Sequence, residues 1–233
     1  MMTNGPGALP SQLGVRPSSE LATRFLSQAF GWMFGGLLLT AGVAALVQTQ
    51  PEIVRTVGRY WFLFVFGQLG LGIAIQGLMP RMTATLGLAL FFVFAATMGV
   101  TVGVIVTFYK VSSVITAFLA ASAMFGAAAV YGATTKRSLN SLGGFLFMGM
   151  VGLLVASIVN LFLGSSPFGW AIALIGVIVF TVYTAYDVQR ISYGDYAASL
   201  GSVEKASVLG AIHLYINFVN LFLFLLRLMG SRR

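Results

Sequence analysis

Seven long apolar segments, joined by short polar connections, constrain this chain more than any other feature of its sequence. They cover residues 29–47, 60–79, 84–108, 112–133, 142–163, 168–189 and 207–229. Each has about 17–25 residues, the length with which an α-helix crosses a hydrocarbon core of ~30 Å. Because lipid offers backbone N–H and C=O groups no hydrogen-bond partner, such segments must be helical. The sequence therefore predicts an all-α integral membrane protein with seven transmembrane helices.

Composition excludes several classes of protein. The chain is 58% hydrophobic and only 8% charged, whereas soluble domains have about 25% charged residues. The absence of cysteine excludes disulfides, thiolate catalysis and cysteine-based zinc sites, and His213 is the single histidine. We therefore expect neither an enzyme nor a bound cofactor. The net charge of +8 is dispersed through connections and ends, which is typical of residues that face lipid headgroups rather than nucleic acid.

The distribution of polar residues predicts the domain organisation and the topology. Residues 1–20 are rich in Gly, Pro and Ser, which predicts a disordered polar tail, and residues 21–233 are expected to form a single seven-helix domain. Lys and Arg divide almost evenly between the two sides of the membrane. Lys136 and Arg137, in a short connection, favour a cytoplasmic N-terminus. The side on which the C-terminus lies stays open.

Small residues in the apolar segments predict close helix packing. Gly99 and Gly103 form a GxxxG pattern in the third segment. Such residues let helix backbones approach closely, which is how helices associate in lipid.

Asp187 is the acid that directly abuts a long apolar segment. The other acids lie in polar stretches: Glu20, Glu52, Asp195 and Glu204. An ionisable group placed in hydrocarbon costs several kcal/mol or more, so Asp187 is a candidate functional residue.

Two cations are candidate partners for Asp187. Arg190 lies at i+3, and Arg81 follows the second segment on the same side of the membrane. Burial favours the neutral carboxyl group and an adjacent guanidinium favours the ionised one, so such a residue can act as a proton switch. A permanently ionised residue at a helix end is the open alternative.

The last apolar segment carries a polar stripe. His213, Asn217 and Asn220 are spaced i, i+4 and i+7, on one helix face. Because polar side chains must face protein or water within a membrane, this segment is expected to be central. The alternative is hydrogen bonding between helices, at about 0.6 kcal/mol per bond. We favour hydrogen bonding for Asn220 and function for Asn217, and both remain open for His213.

Several motifs in the chain match a known family. The two main ones are Ala185-Tyr-Asp-Val-Gln189 and Leu214-Tyr-Ile-Asn-Phe-Val-Asn-Leu-Phe222. Supporting matches are Phe30-Gly-Trp-Met33, Tyr131-Gly-Ala-Thr-Thr-Lys-Arg137 and Leu226-Arg-Leu-Met-Gly230. In this order, across residues 22–233, they resemble the Bax inhibitor-1 family, and most closely its bacterial inner-membrane members.

The resemblance implies a bundle in which the seventh helix is wrapped by the first six, and a pH-sensitive calcium leak across a bacterial inner membrane. In that family two aspartates share a proton, and an arginine latches the first aspartate in the closed form. The first aspartate maps to Asp187 and the latch to Arg81. The implied partners are Ca²⁺, protons and the lipid bilayer, with Ca²⁺ as permeant ion. His213, Asn220 and Thr184 are the pore-lining candidates.

Asn217 occupies the position of the family's second aspartate. Without a second carboxylate the like-charge repulsion is absent, so Asp187 should titrate as a single site. Asp187 and Asn217 remain candidate weak Ca²⁺ ligands, because Ca²⁺ prefers several oxygen ligands and one carboxylate has been lost. Whether Asn217 abolishes calcium transport stays open.

Two other functions compete with a calcium leak. One is an interaction protein that modulates a membrane protease or a stress or cell-death pathway, with its determinant in residues 1–20. The other is a proton-coupled transporter, which usually has inverted repeats and broken helices.

Overall fold

The computed structural model describes residues 19–231, and the side chains of residues 23–231. Within that range the chain folds into helices: α1 Ser19–Gln48, α2 Pro51–Arg59, α3 Trp61–Leu78, α4 Ala84–Val106, α5 Val111–Thr134, α6 Gly143–Leu163, α7 Ser166–Ser192, α8 Asp195–Leu200 and α9 Val203–Met229. Two short 3₁₀ turns, Met79–Arg81 and Asn140–Leu142, follow α3 and precede α6.

Seven of these helices are long and apolar enough to cross a membrane, namely α1, α3, α4, α5, α6, α7 and α9. The predicted all-α membrane protein with seven spanning helices is therefore confirmed. Among the described residues α9 is the most buried of the seven, with 72% of its apolar window inside the protein against at most 50% in the others. The wrapping of this helix by the first six stays a prediction.

Several helices extend beyond the apolar segments that predict them. α1 begins at Ser19 and α9 at Val203, because a helix continues past the hydrocarbon where hydropathy no longer marks it. Residues 1–18 of the predicted tail lie outside the described residues, as do Arg232 and Arg233.

The polar connection between the sixth and seventh apolar segments, residues 190–206, is largely helical rather than a loop. It contains the end of α7, all of α8 and the start of α9. Gly194 and Gly201 flank α8 with φ values of 73° and 62°. Glycine adopts this left-handed conformation at little steric cost, so the chain can end one helix and begin the next within a few residues.

The chain divides into two compact units. Among the described residues, the first unit combines those up to Ile105 with Arg190–Tyr215, and the second combines Val106–Gln189 with those from Ile216 onward. α7 and α9 therefore contribute residues to both units. The single domain predicted over residues 21–233 stays a prediction.

In the first unit, α1 and α4 pack closely through the predicted GxxxG pattern. A Cβ atom on Gly99 would lie 2.8 Å from the Thr40 carbonyl oxygen, and one on Gly103 would lie 3.0 Å from that of Ala44. The two glycines are therefore required for the approach of the two backbones, and the predicted role of this pattern is confirmed.

Tyr215 anchors the α9 part of the first unit. It is fully buried, and its Oη lies 2.6 Å from Thr40 Oγ1. Because Thr40 donates its own hydroxyl proton to the Ala95 carbonyl over 2.9 Å, Tyr215 must be the donor to Thr40. Phe91 and Phe94 surround the ring edge to face, with centroids at 5.4 and 6.0 Å. This tyrosine of the last-segment motif is thus a packing residue.

Candidate functional site

The second unit brings Asp187 of α7 and Asn217 of α9 into direct contact. Asn217 Nδ2 donates a hydrogen bond to Asp187 Oδ2 over 2.8 Å. Asp187 is 1% exposed and Asn217 is 4% exposed. The two residues that the sequence singles out as aspartate and aspartate replacement therefore form one buried polar pair between two spanning helices.

Small residues bring α5 and α7 close together beside this pair. Gly132 packs so closely on α7 that a Cβ atom added there would collide with the Ala185 carbonyl group. Ala128 and Ala185 are buried in the same contact, with Leu139 from the following connection. Because lipid supplies no hydrophobic drive, this close backbone approach stabilises the helix pair by van der Waals contact. It holds the end of α7, which carries Asp187, against α5.

Gln189, two residues after Asp187, joins α7 to the connection between α5 and α6. Its side chain is 1% exposed. Its Oε1 accepts a hydrogen bond from the Leu139 backbone N–H over 2.7 Å, and its Nε2 donates to the Arg137 carbonyl over 2.8 Å. The sequence analysis treated Gln189 only as part of a motif. The signal was available, because an amide at the end of an apolar segment needs partners just as a carboxylate does.

Two of the pore-lining candidates direct a hydrogen bond to their own helix. Thr184 lies at i−3 from Asp187, is fully buried, and donates its hydroxyl to the Phe180 carbonyl over 2.8 Å. Half-buried Asn220 donates through Nδ2 to the Ile216 carbonyl over 2.8 Å. This bond of Asn220 lies within α9 and not between helices as the sequence analysis favoured. Neither arrangement tests whether these residues line a pore.

His213 belongs to the first unit, where it contacts α8. Its ring lies 5.3 Å from that of Tyr196, and its Nδ1 is 3.5 Å from Tyr196 Oη. The Arg190 guanidinium lies 4.5 Å from the centre of the same tyrosine ring, and Arg190 Nε is 3.6 Å from Asp195 Oδ2. Arg190 thus has an acidic partner in Asp195, a residue that the sequence analysis assigned to a loop.

Arg81, the predicted latch, ends the 3₁₀ turn after α3 and is exposed. It belongs to the first unit. Its pairing with Asp187 stays a prediction.

A further polar contact, which the sequence analysis missed, lies in the second unit near the end of α9. Asn160 of α6 is 8% exposed. With its amide oxygen assigned toward Arg227, it accepts from Arg227 Nη2 over 3.0 Å and donates to the Ser165 carbonyl over 3.0 Å. Gly169 lies against the Arg227 guanidinium, where a larger residue would collide with it. Arg227, which continues the polar face of the last segment, is thus tied to α6.

Among the residues that the structure describes, no three His, Cys, Asp or Glu side chains come together as a metal site. Asp187 supplies one carboxylate, and Asn217 turns its amide N–H toward that carboxylate. Ca²⁺ takes six to eight oxygen ligands, so these two side chains alone would not complete its coordination. Calcium binding by Asp187 and Asn217 stays a prediction.

The sequence of this chain is similar to those of known membrane proteins. A family model described as "Inhibitor of apoptosis-promoting Bax1" matches residues 22–233. The inner membrane protein YbhL of Escherichia coli K12 is 38% identical, over 94% of this chain and 96% of that protein. Uncharacterised proteins of Deinococcus radiodurans and Rickettsia prowazekii are each 37% identical, over 89% and 90% of this chain and 90% of each relative. The residues matched by the family model include Asp187 and the polar stripe of α9.

Proposed function

The chain belongs to the Bax inhibitor family of membrane proteins, and from this membership we propose that it is a pH-sensitive calcium leak pathway gated by protonation of Asp187. We place it in a bacterial inner membrane, as the name of the Escherichia coli relative suggests. The observation that carries the proposal is the buried hydrogen bond between Asp187 and Asn217.

The chemistry of this pair supports a switch. A carboxylate at membrane depth is expensive, and such residues are retained where they serve ion or proton movement. Asn217 can serve both protonation states, because its amide offers a donor and an acceptor. When Asp187 is ionised, Nδ2 donates to it, as in the structure. When Asp187 is protonated, its O–H can donate to the amide oxygen after the amide rotates.

Protonation therefore removes one negative charge from the interior while it leaves a hydrogen bond between α7 and α9. In the family pattern the ionised aspartate belongs to the closed form, in which an arginine holds it. We accordingly assign the closed state to ionised Asp187 and the conducting state to protonated Asp187. The calcium leak should rise as the pH falls. If Arg81 is the latch, Arg81→Gln should raise the leak at neutral pH toward its acidic value.

Calcium flux into liposomes that contain only the purified protein tests this function. Wild type should show a flux that increases toward acidic pH, and Asp187→Asn, which mimics the neutral state, should show a high flux that no longer depends on pH. Glu52→Gln is the matched control, because it removes a carboxylate whose side chain is 79% exposed. An Asp187→Asn variant with the full pH dependence of the wild type would contradict the proposal.

The same liposomes separate a leak from a regulatory role. A protein that acts only by modulating a membrane protease or a stress pathway should carry no calcium when it is the sole protein in the bilayer. Absence of flux at every pH would therefore favour the interaction protein.

A further inference from the structure

An open groove along α3, in the first unit, has no role in the proposed leak. We infer that it binds one acyl chain of a negatively charged phospholipid, whose headgroup is held by Arg59 at the end of α2. The groove has a volume of about 340 Å³, within the range of ~300–1,000 Å³ that is usual for ligand sites.

The dimensions of the groove fit a single lipid chain. Its wall includes Tyr60, the residue before α3, and Leu63, Gly67 and Leu71 of α3, which recur at helical spacing and share one helix face. At a rise of 1.5 Å per residue, the distance from Tyr60 to Leu71 is about 16 Å. This is about half of a hydrocarbon core of ~30 Å. The length of the groove therefore matches the depth of one leaflet.

The polar residues of the groove are engaged with one another. Gln68 is buried; its Oε1 accepts from Thr101 over 2.9 Å and its Nε2 donates to Thr97 Oγ1 over 3.3 Å. Thr97 in turn donates its hydroxyl to the Phe94 carbonyl over 2.8 Å. Since these bonds satisfy the polar atoms internally, the groove presents a mainly apolar wall. Such a wall favours hydrocarbon over an ion or a polar solute.

The helix that precedes the groove has the character of a membrane-surface helix. In α2, the apolar residues Ile53, Val54 and Val57 fall on one face at 100° per residue, and Arg55 and Arg59 fall on the opposite face. No residue of α2 is buried. Short amphipathic helices with a basic polar face lie in the plane of the lipid headgroups. α2 is therefore expected to lie at headgroup depth.

The charge at the mouth of the groove selects the headgroup. α2 ends at Arg59 and the groove begins at the next residue, Tyr60. Arg55 is paired with Glu52 at 3.3 Å, both exposed. Within the described part of the chain Arg59 takes part in no ion pair. A phosphate group is the natural partner of such an arginine, and a lipid with a net negative charge is favoured over a zwitterionic one.

Native mass spectrometry of the detergent-purified protein, titrated with phosphatidylglycerol or phosphatidylcholine, tests the inference because it counts bound lipids and protein copies directly. The protein should bind one phosphatidylglycerol more tightly than phosphatidylcholine. Gly67→Leu should abolish this binding by filling the groove. Gly70→Leu is the matched control: a Cβ atom at either glycine meets no protein atom within 4 Å, and only Gly67 lines the groove. Circular dichroism checks that both variants keep their helical content.

The headgroup contact has its own variant pair. Arg59→Gln should weaken phosphatidylglycerol binding about fivefold, as expected for one basic residue near an anionic lipid, and leave phosphatidylcholine unchanged. Lys110→Gln, which removes a positive charge in the second unit, should not change the binding of either lipid. Equal binding of the two lipids, or equal binding by Gly67→Leu and Gly70→Leu, would overturn the inference, because the bound lipid would then be non-specific. A lipid-free dimer that Gly67→Leu dissociates would also overturn it, since the groove would then hold a second copy.

Discussion

The Asn217 side-chain amide donates to Asp187 Oδ2 over 2.8 Å, and the two buried residues come from different spanning helices. This contact determines what the site can do. A second carboxylate at position 217 would share a proton with Asp187, because two like charges at this distance cannot both ionise. An amide removes that coupling and keeps the hydrogen bond. The switch that we propose therefore has only one ionisable member in this pair.

Restoring the second acid should move the pH response. In Asn217→Asp the two carboxyl groups repel each other when both are ionised, so the pH midpoint of the calcium leak should rise by about one unit or more. The flux should also rise, because Ca²⁺ gains a carboxylate ligand. Calcium flux in liposomes over a pH series measures both effects.

Asn220→Asp is the control for this change. It places an acid one turn further along the same helix, at a residue whose amide donates to the Ile216 carbonyl of that helix. A shift of the same size in both variants, or in neither, would contradict a specific role for the Asp187–Asn217 pair.

Gln189→Met should destabilise the fold. The substitution keeps the size of the side chain but removes the acceptor for the Leu139 N–H and the donor to the Arg137 carbonyl. Leaving the buried Leu139 N–H without a partner costs about 1–3 kcal/mol, so the thermal unfolding temperature in detergent should fall.

Gln48→Met removes a glutamine that is exposed and bonded only within α1, to Ala44, and should leave the unfolding temperature unchanged. Hydrogen exchange at the Leu139 amide should accelerate only in Gln189→Met. Unchanged protection of that amide would show that the side chain does not hold the connection.

Gly132→Leu should disrupt the contact between α5 and α7. Any side chain at this position collides with the Ala185 carbonyl, and overpacking typically costs about 1–3 kcal/mol, occasionally more. Gly126→Leu, on the same helix, adds a side chain where nothing lies within 4 Å and should be tolerated. The stability of the two variants is compared by thermal unfolding in detergent. Equal unfolding temperatures would contradict the close contact between α5 and α7.

The spanning helices and the burial of Asp187 could be predicted from sequence, because both follow from the cost of placing polar groups in lipid. Long apolar segments must be helices, and an acid beside one is expected to be buried against polar partners. The same rule, applied to amides, would have identified Gln189 and Asn160, whose partners lie in connections or on another helix.

Other features could not be predicted because they depend on tertiary contacts or on short-range backbone geometry. α8 is bounded by Gly194 and Gly201, which both adopt positive φ. The hydropathy of the sequence does not indicate this backbone conformation. The contact of His213 with Tyr196 depends on where α8 lies, which spacing within one helix cannot reveal. α2 is too short to span a membrane, and it is marked as a helix by its amphipathic pattern at 100° per residue.

The most direct test of the central claim is the protonation state of Asp187 itself, followed by infrared difference spectroscopy in the same liposomes and over the same pH series as the calcium flux. The carbonyl band of a protonated, buried carboxyl group should appear as the pH falls, with the same midpoint as the flux, and should be missing in Asp187→Asn. A flux that changes with pH while Asp187 stays ionised would contradict the account.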